Sequence, residues 1–530
     1  MRRSYKIFLF FLFIFSIYCS LTIGRSWDEE FQLYQGKVTL IYLSTFGSVN
    51  TDYLYREFYA PFYWTINYLF TQLFPEKYLI EVSHLVNLIF SLSAIIGTSK
   101  LCKELFNKKV GEIVLIILFF YPVFFGHLSF NGKDNIIVFS HVWIFYLIIR
   151  YFKNQNVKNK VSNYIITLGL LIAIGCSIHL TFLGTLIPIF LFALIEIFFL
   201  KKFINIHFRR KQLFIDCIKT FLVFYFILVL FWIDTHSNIF ILPVNYFIEH
   251  FRLVVGEFWR GWPFNLLNGK YYVSHEVTKL NILINLIYKS PEYFLLLYII
   301  FLLIFIKSKN FFKDKFSFFI GKLIILVSII VYPIVVGFFV PFITYDGIRH
   351  YLWIMPYLCI IPGLTIYYLI ENIKFIHSKI TLIGLSIFIT YFLYNFFIVT
   401  PYQYTYLNLF NGKTENRYKK FENDYWASSL HELIKKSKFS ESKNIRFATC
   451  GVPAETIKIY LKEKGYYNFE FTHPEESDYI IMTNRTTTIG KTYTDDVTKL
   501  TNCFDKFKGN NIFEVRRGGM LLSTIRKAVK

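Results

Sequence analysis

Charged residues are scarce in this chain of 530 residues. Asp, Glu, Lys and Arg make up only 17% of it, whereas hydrophobic residues make up 55% and aromatic residues 21%. The mean hydropathy is +0.44. These values lie outside the range of soluble globular proteins. The composition therefore excludes an ordinary soluble domain and indicates a polytopic membrane protein.

The sequence also lacks the short motifs of several enzyme classes. It contains no HExxH zinc motif, no GxSxG nucleophile motif and no glycine-rich phosphate loop. The seven cysteines show no CxxC or other metal-ligand spacing. Five of them lie in or beside apolar segments, where thiols pack as small hydrophobic groups. Only Cys450 and Cys503, in the polar tail, could form a disulfide.

Long apolar segments recur along the chain up to Thr400. Segments of about 17–25 residues are long enough to cross a hydrocarbon core of about 30 Å. We predict about eleven transmembrane helices, at Tyr5–Ile23, Tyr78–Thr98, Val110–Phe125, Asn135–Tyr151, Val161–Ile178, Thr181–Leu200, Phe214–Ile233, Pro291–Ile306, Phe316–Phe339, Tyr351–Ile370 and Ile380–Val399. The first segment has no small-residue cleavage site, so we interpret it as a retained helix and not a signal peptide.

The net charge of +22 would suit a nucleic-acid binder, but its distribution does not. Basic residues cluster in alternate short loops, which is the positive-inside pattern of cytoplasmic loops. The clusters are Arg2-Arg3, Lys100–Lys109, Lys153–Lys160, Lys201–Lys211, Lys307–Lys315 and Lys374–Lys379. We therefore expect no nucleic-acid partner, a cytoplasmic N-terminus, and an exterior location for the chain after the eleventh span.

The composition of residues 400–530 is that of a soluble domain. Apolar periodicity and turn residues predict alternating helices and strands there, at Trp426–Lys436 (helix), Ile445–Cys450 (strand), Ala454–Lys464 (helix) and Ser477–Thr483 (strand), with a closing hairpin that turns at Arg517-Gly518-Gly519. We thus predict a transmembrane domain over residues 1–399 and a small exterior α/β domain over residues 400–530.

Ionisable groups beside the predicted spans are the candidate site residues, because charge at membrane depth is expensive and tends to be functional. On the predicted topology, the segments SWDEEF, NGKD and DGIRH and the loop from Asp234 to Ser290 all face the exterior. Simpler interpretations stay open. Lys133 and Asp134 could pair in a turn, although an exposed pair contributes only about 0–1 kcal/mol. Arg349 could extend its side chain to the lipid head groups.

In their order along the chain, these motifs resemble those of a known family. They are SWDEEF after the first span, N-x-K-D before the fourth, D-G-x-R-H before the tenth, and YQYTYLN and FENDYW after the last. The pattern resembles the bacterial polyprenol-phosphate-dependent glycosyltransferases. These are relatives of the dolichyl-phosphate-mannose protein mannosyltransferases and of the lipid A aminoarabinose transferase, and they share the GT-C fold.

The resemblance implies an enzyme that transfers a sugar, with inversion, from a polyprenyl phosphate to an acceptor. Because the lipid phosphate is a good leaving group, one carboxylate base suffices, whereas a glycoside hydrolase needs two carboxyl groups. By position in the motifs, the residues implied are Asp28 as the base, Glu29 as the adjacent acid, Asp134 as the second acidic position, and Lys133, Arg349 and His350 as neutralisers of the phosphate charge.

The resemblance also implies the partners and the location. The protein would be a multi-pass protein of the inner (plasma) membrane with a periplasmic C-terminal domain, and the acceptor would be a glycan, lipid or protein. A divalent metal ion could share the phosphate charge, but the sequence shows no ligand set. A transporter or flippase of a lipid-linked glycan is the alternative. It is less favoured because the interiors of the spans are almost free of ionisable residues.

Overall fold

A computed structural model of the chain describes residues 3–48, 59–254, 261–340, 342–372, 379–439, 444–489 and 499–528. Over these residues the fold is mostly helical up to Ile398. The helices are α1 (Arg3–Thr22), α2 (Glu29–Ser44), α3 (Phe62–Thr71), α4 (Leu79–Leu105), α5 (Lys108–Phe119), α6 (Pro122–Gly126), α7 (Asp134–Asn154), α8 (Lys158–Ile178), α9 (Phe182–Thr185), α10 (Ile187–Ile195), α11 (Arg210–Phe231), α12 (Leu242–Val254), α13 (Asn281–Lys289), α14 (Glu292–Lys315), α15 (Phe319–Phe339), α16 (Met355–Glu371) and α17 (Lys379–Ile398).

Eight helices within the described ranges are long and apolar enough to cross a membrane. Each coincides with one of the eleven predicted spans. They are α1, α4 with the short turn before it, α7, α8, α11, α14, α15, and α16 with the 3₁₀ segment Arg349–Ile354 that precedes it. The polytopic membrane architecture predicted from the composition is therefore confirmed.

The three other predicted spans differ from single long helices or are described only in part. Val110–Phe125 divides into α5 and α6, because Pro122 begins a new helix and has no N–H to continue the previous one. Thr181–Leu200 divides into α9, α10 and a π-helical turn at Glu196–Leu200. The eleventh span coincides with α17. Most of the basic cluster before it, residues 373–378, lies outside the described residues.

The tail after α17 contains the main sheet. Its elements are α18 (Leu430–Lys436), β3 (Ile445–Cys450), α19 (Ala454–Glu463), β4 (Phe469–Phe471), β5 (Tyr479–Thr483), β6 (Thr486–Thr488), β7 (Leu500–Asn502), α20 (Cys503–Lys506), β8 (Asn511–Arg517) and β9 (Met520–Lys527). Five strands form one sheet in the order β4-β3-β5-β9-β8, and β6 pairs with β7. The earlier hairpin of β1 (Phe264–Leu267) and β2 (Lys270–Val273) lies in the loop between α12 and α13.

The predicted α/β tail is confirmed, with two differences in detail. The first helix begins at Leu430 and not at Trp426, because Asp424 accepts hydrogen bonds from the backbone N–H groups of Ser428 and Ser429 at 2.9 and 3.0 Å, and Ala427 adopts a positive φ of 56°. This turn is incompatible with a helix. The prediction also omitted β4, β6 and β7, which have three residues each.

The tail packs directly on the membrane part. Gly126 of α6 lies so close to the chain at Gln403 and Tyr404 that a Cβ atom would overlap their backbone. Beside this contact, the centroid of the Phe130 ring lies 5.1 Å from that of the Tyr404 ring and 5.1 Å from that of the Trp426 ring. The division of the chain at residue 400 stays a prediction. The parts before and after this residue share one hydrophobic core.

Cys450 and Cys503 form a disulfide, as the sequence analysis allowed. Stable disulfides occur in oxidising compartments. The bond therefore agrees with the predicted exterior location of the tail.

The topology leads to a first prediction. Lys462 in the tail and Lys202 in a predicted cytoplasmic loop are both exposed. In a Cys217→Ser background, which removes the one exposed thiol among the described free cysteines, Lys462→Cys should react in intact cells with a membrane-impermeant maleimide. Lys202→Cys should react only after the cells are lysed. The opposite pattern would contradict the exterior placement of the tail.

Candidate functional site

The segments before α2, α7 and the 3₁₀ segment Arg349–Ile354 meet the tail at one cavity of about 400 Å³. We call it the charged cavity. Its walls carry two acids, three cations and three tryptophans, namely Asp28, Asp346, Lys133, Arg349, Arg485, Trp27, Trp262 and Trp426. Three of the four segments predicted to be exterior contribute one or two charged residues to this cavity, and the fourth contributes Trp262.

Asp28 and Lys133 form an ion pair in the wall of this cavity. Asp28 is the residue before α2, and Lys133 is the residue before α7. The Lys133 Nζ atom lies 3.1 Å from Asp28 Oδ2. The same ammonium group lies 5.6 Å from the centroid of the Tyr59 ring and 5.8 Å from that of the Phe31 ring, distances at which an aromatic ring attracts a cation. Both side chains keep part of their surface exposed.

A turn built by Asn131 presents Lys133 and Asp134. The Asn131 side-chain oxygen accepts hydrogen bonds from the backbone N–H groups of Lys133 and Asp134 at 3.1 and 2.9 Å, and its Nδ2 donates to Asp134 Oδ2 at 2.9 Å. Gly132 allows this turn to approach α2, since a Cβ atom there would lie 2.5 Å from Gln32 Oε1. The simple interpretation, in which Lys133 and Asp134 pair with each other, is therefore wrong.

Arg349 is buried between two acids. Its Nη1 lies 3.5 Å from Asp134 Oδ2, and its Nε lies 3.0 Å from Asp346 Oδ2. Asp346 and Gly347 both have positive φ, 56° and 67°, in the tight turn that brings Asp346 back toward Arg349. With its guanidinium group held in this way, Arg349 does not extend to the lipid head groups.

The three consecutive acids after the first span point in different directions. Asp28 faces the charged cavity. Glu29 is 1% exposed, with its Oε1 lying 2.7 Å from His84 Nε2 and its Oε2 accepting a hydrogen bond from the Ser26 N–H at 2.5 Å. Glu30 is exposed and lies 3.5 Å from Arg25. Glu29 thus fixes the start of α2, and of the three acids only Asp28 lines the cavity.

An apolar groove of about 670 Å³ adjoins the charged cavity. Asp134 and His350 lie on its wall among apolar side chains from α7, α9, α12 and α15, such as Ile137, Phe182, Phe247 and Val336. His179 and Tyr345 line both the groove and the cavity. The predicted site residues therefore separate into Asp28, Lys133 and Arg349, which line the charged cavity, and Asp134 and His350, which line the apolar groove.

The charges in the cavity shift the pKa values of their neighbours. Burial raises the pKa of Asp28, but the positive charges of Lys133, Arg349 and Arg485 outweigh burial and leave this pKa below its ordinary value. Burial lowers the pKa of Lys133, but the charge of Asp28 reverses this and leaves it above its ordinary value. Asp28 is therefore an ionised carboxylate at neutral pH and Lys133 an ammonium group.

Several residues of this site were not predicted, although all but Arg485 lie in segments that the sequence analysis names. Arg485 comes from the tail, between β5 and β6, and bonds to Asp346. Glu422 bonds to Arg485 at 2.9 Å. Lys289 is buried near Glu422 and Asp346, and burial lowers the pKa of its ammonium group to about 8. Asp346 lies inside the D-G-x-R-H motif but was not selected, because the motif was interpreted through its cations.

The residues present do not define a metal site. Within the described ranges, no group of three or more His, Cys, Asp and Glu side chains is arranged to hold an ion. Asp28 and Asp134 are instead both engaged with cations.

The fold and this cavity define a polytopic membrane protein in which an aspartate and several cations meet beside an apolar groove, on the side where the tail lies. No family model and no curated protein matches the sequence. Solved structures do match it. ArnT from Cupriavidus metallidurans in the apo state aligns with a TM-score of 0.50 and 10% identity, over 99% of this chain and 98% of that chain.

Archaeoglobus fulgidus supplies two further matches. Its oligosaccharyltransferase, crystallised with zinc and sulfate, has a TM-score of 0.44 and 12% identity over 89% of this chain and 68% of that chain. Its AglB oligosaccharyltransferase, in complex with an inhibitory peptide and a dolichol-phosphate, has a TM-score of 0.46 and 10% identity over 91% and 70%. The alignment with ArnT spans both chains and confirms the fold expected from the motifs.

The position of Glu29 leads to a stability prediction. Glu29→Ala should leave His84 and the Ser26 N–H buried without their partner, which costs about 1–3 kcal/mol of unfolding free energy. Glu30→Ala removes an exposed pair and should cost about 0–1 kcal/mol. Thermal unfolding of the two variants in the same detergent measures the difference. Equal melting temperatures would show that the contact between Glu29 and His84 does not stabilise the start of α2.

Proposed function

We propose that this protein is an integral membrane glycosyltransferase that moves a sugar from a polyprenyl phosphate to an acceptor on the exterior side of the membrane. The observation that carries the proposal is the pairing of Asp28 with Lys133 in a charged cavity that opens beside an apolar groove. The ArnT-like fold supports it, because that fold belongs to the GT-C membrane glycosyltransferases.

The two adjoining spaces suit the two halves of such a donor. A polyprenyl chain needs an apolar space open to the membrane, whereas a sugar phosphate needs cations and hydrogen-bonding groups. The apolar groove supplies the first and the charged cavity the second. Trp27 and Trp262, whose rings lie 5.8 Å apart, offer flat apolar surfaces against which a sugar ring can pack.

In the proposed reaction, Asp28 accepts the proton of the acceptor hydroxyl group. The hydroxyl oxygen then forms a bond to the anomeric carbon on the face opposite the phosphate, and the bond between that carbon and the phosphate oxygen breaks. The configuration is inverted, and the polyprenyl phosphate leaves with the bonding electron pair. A carboxylate at this position acts as a general base.

The cations stabilise the leaving group. Lys133 and Arg349 line the same cavity as Asp28 and would lie against the lipid phosphate as its negative charge develops. An arginine suits this role because its planar group can make two parallel hydrogen bonds to phosphate. Asp134 and His350, which line the apolar groove, would contact the donor near the junction of its lipid and its phosphate.

The base assignment leads to a direct test. Asp28→Asn keeps the shape of the side chain but cannot accept the proton, so transfer should fall by about 10²–10⁴-fold while donor binding survives. Glu29→Gln should have a smaller effect, and Glu30→Gln, the matched exposed control, almost none. Purified variants are assayed with a panel of polyprenyl phosphate sugars, and both the transfer rate and the donor affinity are measured.

Two results would contradict these proposals. Near-normal transfer by Asp28→Asn would remove Asp28 as the base and leave Asp134 as the next candidate. Wild-type protein that moves the intact lipid-linked glycan across vesicle membranes, and transfers no sugar from any donor, would favour the flippase alternative.

The charge of Lys133 leads to a prediction about pH. A carboxylate base works only while it is ionised, so transfer is lost as pH falls through its pKa. Lys133→Met removes the strongest influence that lowers the pKa of Asp28, and burial then raises this pKa. The acid limb of the kcat/KM profile should move to higher pH in the variant than in wild type. Arg349 and Arg485 also face Asp28 and limit the size of the change. An unchanged acid limb would show that Asp28 does not control it.

A further inference from the structure

The tail supplies Trp426 and Arg485 to the wall of the charged cavity, and Arg485 is the charged one of the two. We propose that Arg485 is a positioning residue for donor binding: it neutralises Asp346 and so leaves the charge of Arg349 available to the lipid phosphate. We propose further that the disulfide between Cys450 and Cys503 fixes Arg485 in this place. The inference rests on the proposed function, because it concerns the binding of that donor.

Arg485 is buried between two acids. Its side chain is 4% exposed, and its Nη1 bonds to Asp346 Oδ1 and lies 2.9 Å from Glu422 Oε2. Its guanidinium carbon lies 4.6 Å from the centroid of the Trp262 ring. Glu422 also accepts a hydrogen bond from the Thr486 N–H at 2.7 Å. The arginine is therefore held by charge, by stacking and by its neighbour in the chain.

Asp346 connects Arg485 to Arg349. One carboxylate oxygen of Asp346 bonds to Arg485, and the other lies 3.0 Å from Arg349 Nε and accepts a hydrogen bond from Trp426 Nε1 at 3.2 Å. Without Arg485, the full negative charge of Asp346 would act on Arg349. Arg349 already lies beside Asp134, so its charge would then be neutralised by two acids and its attraction for a phosphate would fall.

The disulfide holds the backbone of Arg485. The Cys503 N–H donates a hydrogen bond to the Arg485 carbonyl at 2.9 Å. Gly451, the residue after Cys450, lies against the Arg485 side chain, and a Cβ atom there would collide with it and lie 3.2 Å from Cys503 Sγ. The positive φ of Gly451, 67°, also favours glycine. Cys503 thus bonds to the Arg485 backbone, and Gly451, next to Cys450, contacts the Arg485 side chain. On this proposal, reduction of the disulfide would loosen both contacts.

The simpler interpretation is that Arg485 only fastens the tail to the membrane part. Arg446 serves as a matched control for the loss of an arginine from the tail. Arg446 on β3 forms an ion pair with Asp478 at 3.4 Å inside the tail, half-exposed and outside the wall of the charged cavity. Arg446→Gln therefore removes an arginine from the same domain without touching Asp346 or Arg349.

The experiment measures binding of undecaprenyl phosphate to the full-length protein in nanodiscs. Arg485→Gln should raise the Kd about tenfold or more, Arg485→Lys should restore part of the affinity, and Arg446→Gln should leave it unchanged. Adding Asp346→Asn to Arg485→Gln should recover affinity relative to Arg485→Gln alone, because the acid that neutralises Arg349 is then gone. The melting temperature of each variant is measured as well. A residue that only fastens the tail would recover affinity only together with melting temperature, because Asp346→Asn also removes a buried unpaired charge.

The disulfide is tested in the same assay. Cys503→Ser should raise the Kd in the same direction as Arg485→Gln but by less, and it should add nothing further in the Arg485→Gln background. If Arg485→Gln does not fold, Arg485→Lys and Cys503→Ser carry the comparison with Arg446→Gln.

The outcomes separate the inference from the proposed function. Binding by Arg485→Gln within twofold of wild type, or an equal loss in Arg485→Gln and Arg446→Gln, would overturn the role of Arg485 while the proposed function stands. Wild-type protein that neither binds undecaprenyl phosphate nor uses any polyprenyl phosphate sugar would overturn the proposed function itself.

Discussion

The rest of the site depends on the pairing of the Asp346 carboxylate with two arginines. This carboxylate is shared by Arg349, from the segment before a membrane span, and by Arg485, from the tail. Through these two arginines a row of alternating charges runs from Glu422 to Asp134. Four of these five ions are buried and Asp134 is half-buried, and buried ions are costly to desolvate unless each has partners of opposite charge. The row therefore requires the tail and the membrane part to be present in one arrangement.

This requirement explains why the polar tail packs so closely on the membrane part. Tyr404 and Trp426 lie on Phe130 in the segment that leads to Lys133, and His127 in the same segment hydrogen-bonds to the Tyr425 hydroxyl group at 2.8 Å. The aromatic contacts fix the position of the segment by close packing, and the ion pairs fix the direction of the side chains. A change in the tail can therefore reach the charged cavity without altering any residue that bears a predicted role.

Much of the fold could be predicted because its signals are local. A run of apolar residues as long as a membrane is thick identifies a span wherever it occurs, and Ile445–Cys450 was predicted to the residue from its own pattern. The candidate site was predictable in part, since Asp28, Lys133 and Arg349 each lie in a charged segment beside a span. Arg485 was not, because it joins Asp346 across 139 residues and only the folded tail brings them together. The inward turn of Glu29 toward His84 was missed for the same reason.

On the proposed mechanism, the pairing of Asp28 with Lys133 also controls when the base is strong. The ammonium group of Lys133 lies against the carboxylate and keeps its pKa low, so Asp28 is ionised but is a weak proton acceptor. An incoming phosphate offers Lys133 a second anion in the same cavity. As Lys133 turns toward the phosphate, the pull of its charge on Asp28 weakens, and burial raises the pKa of the carboxylate. The base would therefore gain strength only when the donor is in place, and a single lysine between two anions would couple donor binding to catalysis.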